Sequence, residues 1–250
     1  MVADAGTASA ADSGQGYDAT PYLPSRGGLA ALRRAAADCH GCPLYLDATQ
    51  TVFGKGPAGS RLMLVGEQPG DREDVQGEPF VGPAGQLLRR ALDEAGLGDE
   101  KAYFTNVVKH FKFTPDARGK RRIHKAPSLR EMTACTPWLA EELKRVAPEV
   151  LVVLGGTAGK ALLGSSFRVG ERRGVLLPMP DLFGKQSAAP GRLLATVHPS
   201  AVLRADDREA AFAGLVADLS LAATVLQWGA DASAGCAGAL SRGRARGLVA

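Results

Sequence analysis

The apolar run Leu62-Met63-Leu64-Val65, closed by Gly66, constrains the fold more than any other stretch of the chain. A strand with no polar position is buried on both faces, and in a parallel sheet helices above and below supply that burial. Val150-Leu151-Val152-Val153-Leu154, closed by Gly155-Gly156, is a second run of this kind. Ala102 to Val108 reads as a strand between them, with weaker strands at Val175 to Leu177 and Arg192 to Val197. Helical segments fill the intervals: Gly28 to Asp38, Gln86 to Ala95, Leu129 to Val146, Thr157 to Leu163 and Asp207 to Leu226. Ser128 and Glu131 make a capping box for the longest of the central helices, and Pro148 stops it. Strands alternating with helices predict an α/β fold, a three-layer α/β/α arrangement with a central, mostly parallel, doubly wound sheet. The domain is expected over 26–228. Residues 1–25, rich in Ala, Gly, Ser and Asp, and residues 229–250, rich in Gly, Ala and Arg, read as disordered tails.

In such a sheet, ligands bind outside the carboxyl ends of the strands. Gly66-Glu67-Gln68-Pro69-Gly70-Asp71-Arg72-Glu73-Asp74 follows the first strand, is bent by Gly66, Pro69 and Gly70, and crowds four carboxylates together. Asn106 lies near the end of the second strand. His198-Pro199-Ser200 follows the last, with Pro199 fixing the turn and Ser200 able to cap the next helix. The first loop, Asn106 and His198 are therefore expected to face one crevice.

The net charge is +4, but it is uneven: Lys109 to Lys125 holds seven Lys or Arg against one Asp. That is compatible with a polyanionic partner. Within it, HFKFTPDARGKRRIHK (His110 to Lys125) mixes Phe111 and Phe113 with the basic residues, a composition that contacts phosphates and stacks on bases. His124 follows Arg121-Arg122-Ile123, and the two guanidiniums favour its neutral, nucleophilic form. No apolar run reaches the roughly 20 residues of a membrane span. The first 25 residues lack the basic start and apolar stretch of a secretory signal. Four cysteines in such a chain point to the reducing cytoplasm rather than to disulfides. The Ala, Gly and Arg richness suggests a bacterial source.

Cys39-x2-Cys42, followed by Pro43, places two thiols within reach of one metal centre. Cys135 is a third donor, and His110 a fourth, since imidazole replaces thiolate at some iron centres. The pattern leaves zinc and an iron–sulfur cluster both open. Cys236 reads as a free thiol in the carboxyl-terminal tail.

From Cys39 to Leu226 the sequence resembles the uracil-DNA glycosylase superfamily, specifically its iron–sulfur branch and, within that, the X-type (UdgX) enzymes. Gly66-Glu67-Gln68-Pro69-Gly70 looks like the first family motif, His198-Pro199-Ser200 like the second, and Thr105-Asn106-Val107-Val108-Lys109 like the strand presenting the uracil-reading amide. Gln68 and Lys120-Arg121-Arg122-Ile123-His124 look like marks of the X-type branch. The ordinary iron–sulfur enzymes usually have Cys where His110 stands and Ala or Gly where Gln68 stands. The resemblance implies a uracil-DNA glycosylase-like fold and a monomer acting on uracil-containing, single-stranded DNA. It also implies a 4Fe-4S cluster on Cys39, Cys42, His110 and Cys135.

For the site, the resemblance implies that Phe80 stacks on the base and Asn106 reads its edge, with Gln68 adding an in-plane contact. His198 would donate to uracil O2. Gly66 and Ser200 would sit against the base or phosphate. Asp71 would steady the first loop, and Arg122 would anchor the insert or neutralise a phosphate. His124 would bond to the deoxyribose C1′ and stay attached, oriented by Glu67, which would help stabilise the charge it gains. The alternative is an ordinary multiple-turnover enzyme that releases an abasic site.

Overall fold

The two unbroken apolar runs form the adjacent central strands of a single sheet. The computed structural model describes residues 16–179 and 191–242, with side chains described as far as Trp228. In chain order the helices are α1 (Leu29–Ala36), α2 (Asp71–Gln76), α3 (Pro83–Glu94), α4 (Leu129–Val146), α5 (Gly156–Leu163), α6 (Val169–Arg172), α7 (Pro199–Leu203) and α8 (Arg208–Arg242). The strands are β1 (Leu62–Gly66), β2 (Tyr103–Asn106), β3 (Phe113–Pro115), β4 (Arg122–His124), β5 (Val150–Leu154), β6 (Leu176–Pro178) and β7 (Arg192–Thr196). The main sheet has the order β2-β1-β5-β7-β6. Its first four strands are parallel, and β6 is an antiparallel edge.

Alternate residues of each central strand enter different cores. Met63, Val65, Leu151 and Val153 pack with α1 and α4 through Leu32, Trp138 and Leu139. Leu62, Leu64, Val152 and Leu154 pack with α3 and α8 through Leu88, Leu215 and Leu219. This is the expected three-layer α/β/α arrangement. The chain leaves β1 for β2 on one side of the sheet, while β5 lies on the other. A crevice therefore opens at the carboxyl ends of β1 and β5, where connections diverge.

Four features differ from the sequence reading. Part of the first loop is helical: α2 begins at Asp71, with Asp71, Glu73 and Asp74 in its first turn, where the helix dipole favours carboxylates. The basic insert contains an antiparallel hairpin, β3–β4, rather than an irregular loop. Residues 16–25, expected in the amino-terminal tail, dock on α4: Ala19 is buried and its N–H donates to the Ala134 carbonyl at 3.0 Å. Finally, α8 extends past Leu226, and Arg208–Trp228 is long and apolar enough to cross a membrane. Its Leu215, Leu219, Ala222 and Leu226 are nonetheless buried in the core against the sheet, so it serves as a core helix here. The remaining tail residues, 1–15 and 243–250, and the side chain of Cys236 lie outside the described residues.

The capping box of α4 forms as its sequence predicts. Ser128 Oγ accepts from the Glu131 N–H at 3.3 Å, and Glu131 Oε2 accepts from the Ser128 N–H at 2.5 Å. Ser128→Ala is expected to cost about 1 kcal/mol. Urea denaturation should show a lower midpoint with an unchanged slope.

Candidate active site

A cleft of about 880 Å³ opens at the carboxyl edge of the sheet. Its floor depends on Gly66, which pairs in register with Asn106. A Cβ at position 66 would lie 2.4 Å from Asn106 Oδ1 and 2.9 Å from Phe80 Cζ, so only glycine lets the amide and the ring converge. Phe80 is buried and takes a left-handed backbone conformation, φ 57°. Gly85 packs directly beneath its carbonyl, where any side chain would collide. The Phe80 ring lies 5.9 Å from Phe104 and 6.5 Å from the His198 ring, centroid to centroid. Asn106 is only 3 % exposed, yet its carboxamide lines the cleft and makes no hydrogen bond among the described residues.

His198 stands at the start of α7. Its Nδ1 accepts from the Ser200 backbone N–H at 3.2 Å, with Ser200 Oγ at 2.8 Å. An Nδ1 that accepts leaves the ring proton on Nε2. Burial pushes the His198 pKa down to about 4, reinforced by the nearby His124 and Arg204. The imidazole is therefore a neutral Nε2–H donor at pH 7. Gly155, at φ 90°, allows this approach, because a Cβ there would lie 2.9 Å from His198 Cβ.

Across the cleft, Glu67 Oε1 is buried and has no hydrogen-bond partner, and His124 Nε2 stands 3.4 Å from it. The His124 side chain is 51 % exposed, at the rim. It is carried there by the β3–β4 hairpin, where it pairs in register with Phe113. The hairpin is held mainly by polar contacts. Arg122 donates to Asp71 Oδ1 and to the fully buried Asp74, both at 2.5 Å, and to Thr49 Oγ1 at 3.1 Å. Burial alone would lower the pKa of this guanidinium, but the hydrogen bonds it donates to Asp74 and Asp71 raise it overall. The guanidinium also lies over Phe111 and Phe113, 5.4 and 5.1 Å from their ring centres. Gln68 Nε2 donates to the Lys112 and Lys125 carbonyls, each at 3.1 Å, and its Oε1 accepts from the Lys112 N–H at 3.2 Å.

The structure thus brings Glu67, Gln68, Asp71, Phe80, Asn106, His124, His198 and Ser200 to one cleft, with Gly66 directly behind it. Gln68, expected against the base, lines the cleft with its amide bonded to both ends of the insert. Of the two roles considered for Arg122, its contacts are those of an anchor, and it does not line the cleft. The sequence reading missed Glu73, whose Oε1 accepts from the Gly82 N–H at 3.0 Å and closes the first loop. It also missed Gly155 and Arg204 in the lining. Gly155-Gly156 directly after an apolar strand was the available signal for the first of these.

Cys39, Cys42 and Cys135 are buried in one apolar core, unpaired and electrostatically coupled to one another. Burial pushes Cys42 up to about 11 and Cys135 up to about 12. Thiols in such a setting ionise when a cation takes the place of the proton, so the donor chemistry fits a metal group. His110, in the turn after β2, is also buried, and burial pushes its pKa down to about 4. Thr51 Oγ1 lies 2.8 Å from His110 Nε2 and donates onward to the Ala36 carbonyl, so it accepts from Nε2–H and leaves Nδ1 as the free donor atom. Among the described residues, no three His, Cys, Asp or Glu converge as a single-ion site.

The uracil DNA glycosylase superfamily profile matches residues 53–220. The chain belongs to this superfamily. It is 36 % identical over 167 residues to the type-4 uracil-DNA glycosylase of Thermotoga maritima, covering 66 % of this chain and 78 % of that protein. It is 35 % identical over 181 residues to the type-4 uracil-DNA glycosylase of Pyrobaculum aerophilum, covering 70 % and 85 %. The corresponding Archaeoglobus fulgidus protein is 34 % identical over 173 residues, covering 68 % and 80 %. Within the superfamily fold, the cleft at the ends of β1, β2 and β7 is the candidate active site.

The His198 geometry predicts its titration. The folded pKa lies below the usual value of about 6.5, so the unfolded chain binds the proton first. The stability that the neutral ring contributes is therefore full above about pH 6.5 and is lost as the pH falls through about 4. Imidazole NMR should show His198 as the Nε2–H tautomer from pH 5 to 8. A midpoint near the free value would contradict the site as drawn.

Proposed function

We propose that this chain excises uracil from single-stranded DNA and that His124 then captures the deoxyribose C1′, leaving a covalent protein–DNA adduct. The observation that carries the reading is the pairing of Glu67 with His124. A buried carboxylate oxygen with no other partner stands 3.4 Å from the nitrogen of a rim imidazole, in the cleft that Asn106 and His198 also line.

A base inside a duplex is out of reach, so the substrate nucleotide is single-stranded or flipped. Phe80 stacks on the pyrimidine. The Asn106 carboxamide offers uracil its N–H to O4 and its Oδ1 to N3–H, and held in that orientation it rejects cytosine, whose edge reverses both roles. As the C1′–N1 bond breaks, its electron pair leaves on uracil, and the His198 Nε2–H donates to O2, where charge develops. The sugar becomes an oxocarbenium-like cation. The lone pair of the unprotonated nitrogen of the neutral His124 ring closes on C1′, while Glu67, facing the protonated nitrogen, orients the ring and stabilises the positive charge it gains before that proton passes to solvent. A positioned nucleophile has an effective molarity of roughly 10⁵–10⁸ M, which exceeds that of water at the same carbon. The new C1′–N bond has no easy leaving path, so each molecule reacts once.

Cys39, Cys42, Cys135 and His110 are the ligands we assign to a 4Fe-4S cluster. Its contribution is structural, tying the amino-terminal segment, the turn after β2 and α4 together. The support is the buried, unpaired thiol set with an imidazole presenting its free Nδ1. A four-iron cluster takes each ligand on a different iron and does not need the convergence of a single-ion site. Visible charge-transfer absorption should accompany the purified protein and be lost in Cys135→Ser, whereas a zinc protein would be colourless.

The test of the reaction is a denaturing gel of the protein mixed with labelled, uracil-containing single-stranded DNA. A heat-stable, slowly migrating band is expected, absent in His124→Ala. In His124→Ser, water reaches C1′, so free uracil should still be released without the adduct. No uracil release from that variant would make His124 necessary for bond cleavage. Many turnovers by the wild type, with an alkali-labile product, would assign the chain to the ordinary multiple-turnover enzymes.

A further inference from the structure

The turn after β2 carries a buried ion pair that the cleft chemistry does not use. Lys109 Nζ lies 2.5 Å from Glu142 Oε2, and the two side chains are 1 % and 0 % exposed. No other ion pair among the described residues has both side chains so deeply buried. The ammonium directs its remaining protons to Thr105 Oγ1 at 2.7 Å and to the Asn106 carbonyl at 2.6 Å. Glu142 also accepts from the Gly54 N–H at 3.1 Å, the Tyr103 hydroxyl at 2.9 Å and the Thr105 hydroxyl at 3.0 Å. Both charges are thus fully hydrogen-bonded. A pair of this kind gives little net stability over apolar residues of the same volume. Stability alone does not account for it.

What the pair does is geometric. It grips the main chain of Asn106 at the residue where β2 ends. The carboxamide of Asn106 has no hydrogen bond of its own among the described residues, so its aim into the cleft follows from its backbone and from the wall made by Gly66 and Phe80. The clamp reaches this backbone from α4, through Glu142, and from the segment before β1, through Gly54.

We infer that Lys109 and Glu142 are positioning residues for Asn106, setting the carboxamide against the uracil edge. The inference rests on the reading of Asn106 as the uracil-recognising group. Lys109→Met with Glu142→Leu removes both charges together and leaves no unpaired buried ion. This variant leaves the Gly54 N–H and the Tyr103 and Thr105 hydroxyls without their Glu142 acceptor, so it is expected to melt below the wild type, and activities are compared at a temperature where both are folded. A misplacement of about 1 Å can cost on the order of 100-fold in rate, so its single-turnover release of uracil should fall about 10- to 100-fold. Its binding to single-stranded DNA carrying an abasic site, which offers no base to read, should be unchanged.

The deciding measurement is a cycle with Asn106→Ala. If the pair acts through Asn106, its replacement in the Asn106→Ala background slows uracil release no further. Multiplying losses, or no loss from replacing the pair alone, would overturn the inference. Full activity of Asn106→Ala by itself would instead remove the uracil-reading assignment on which the inference rests. Should the double replacement fail to fold, Glu142→Gln, which keeps the shape and one acceptor oxygen, goes through the same cycle with the same outcomes.

Discussion

Gly66 and Asn106 stand side by side where β1 and β2 end, and the space beside the Gly66 Cα is already filled by the Asn106 amide and the Phe80 ring. The cleft depends on this missing side chain. The parallel pairing of β1 with β2 fixes the two backbones, and the fully buried faces of β1 prevent it from sliding, because a shift of one residue would exchange its two cores. With Gly66 fixed, Glu67 and Gln68 follow at the next two positions, one facing the rim histidine and the other the insert. A side chain at 66 would have to displace an asparagine that Lys109 already holds by its carbonyl.

Two kinds of force build the two sides of the cleft. Its floor is apolar packing and strand pairing. The hairpin that carries His124 has almost no core of its own: Ile123 is 53 % exposed, and β3 and β4 are three residues each. It is positioned by Arg122 against Asp71 and Asp74, by Gln68 against the backbone, and by Lys112 against Glu131. Asp74 is fully buried and Arg122 is not, so loss of the arginine would leave a buried carboxylate short of its cation. Charge on the first loop therefore has a structural role. Asp71 and Asp74 are the socket for Arg122 of the basic insert.

The elements legible in the sequence are those whose cause is local. Continuous apolar runs gave β1 and β5, and Ser128 with Glu131 gave the start of α4. The Gly and Pro residues that end strands gave the positions of the cleft loops. What escaped has its cause far along the chain. Helix α2 is short and acidic, and by composition it looks like a solvated loop. Its Glu73 and Asp74 are buried because Gly82, Thr49 and Arg122 supply their partners. The hairpin strands are too short and too charged to show alternation. Gln68 is polar and lies in the first loop, and its hydrogen-bond partners lie 44 and 57 residues downstream. The docking of residues 16–25 depends on an α4 groove that a sequence rich in small residues does not announce.

The same distance effect joins the cleft to the thiols. Cys135 and Glu142 are seven residues apart on α4, two turns along one face. The turn after β2 answers both. Lys109 reaches Glu142 with its side chain and its backbone lies near the Cys135 thiol, while the next residue, His110, is the fourth proposed ligand. Asn106, three residues before Lys109, ends β2 where this turn begins. A group bound by these donors would stiffen the segment that carries the Asn106 carboxamide, with no need for the group to touch DNA or to take part in bond cleavage. The helix, the turn and the ion pair between them are enough to transmit that rigidity, and they account for a polar cluster buried where apolar side chains would otherwise pack.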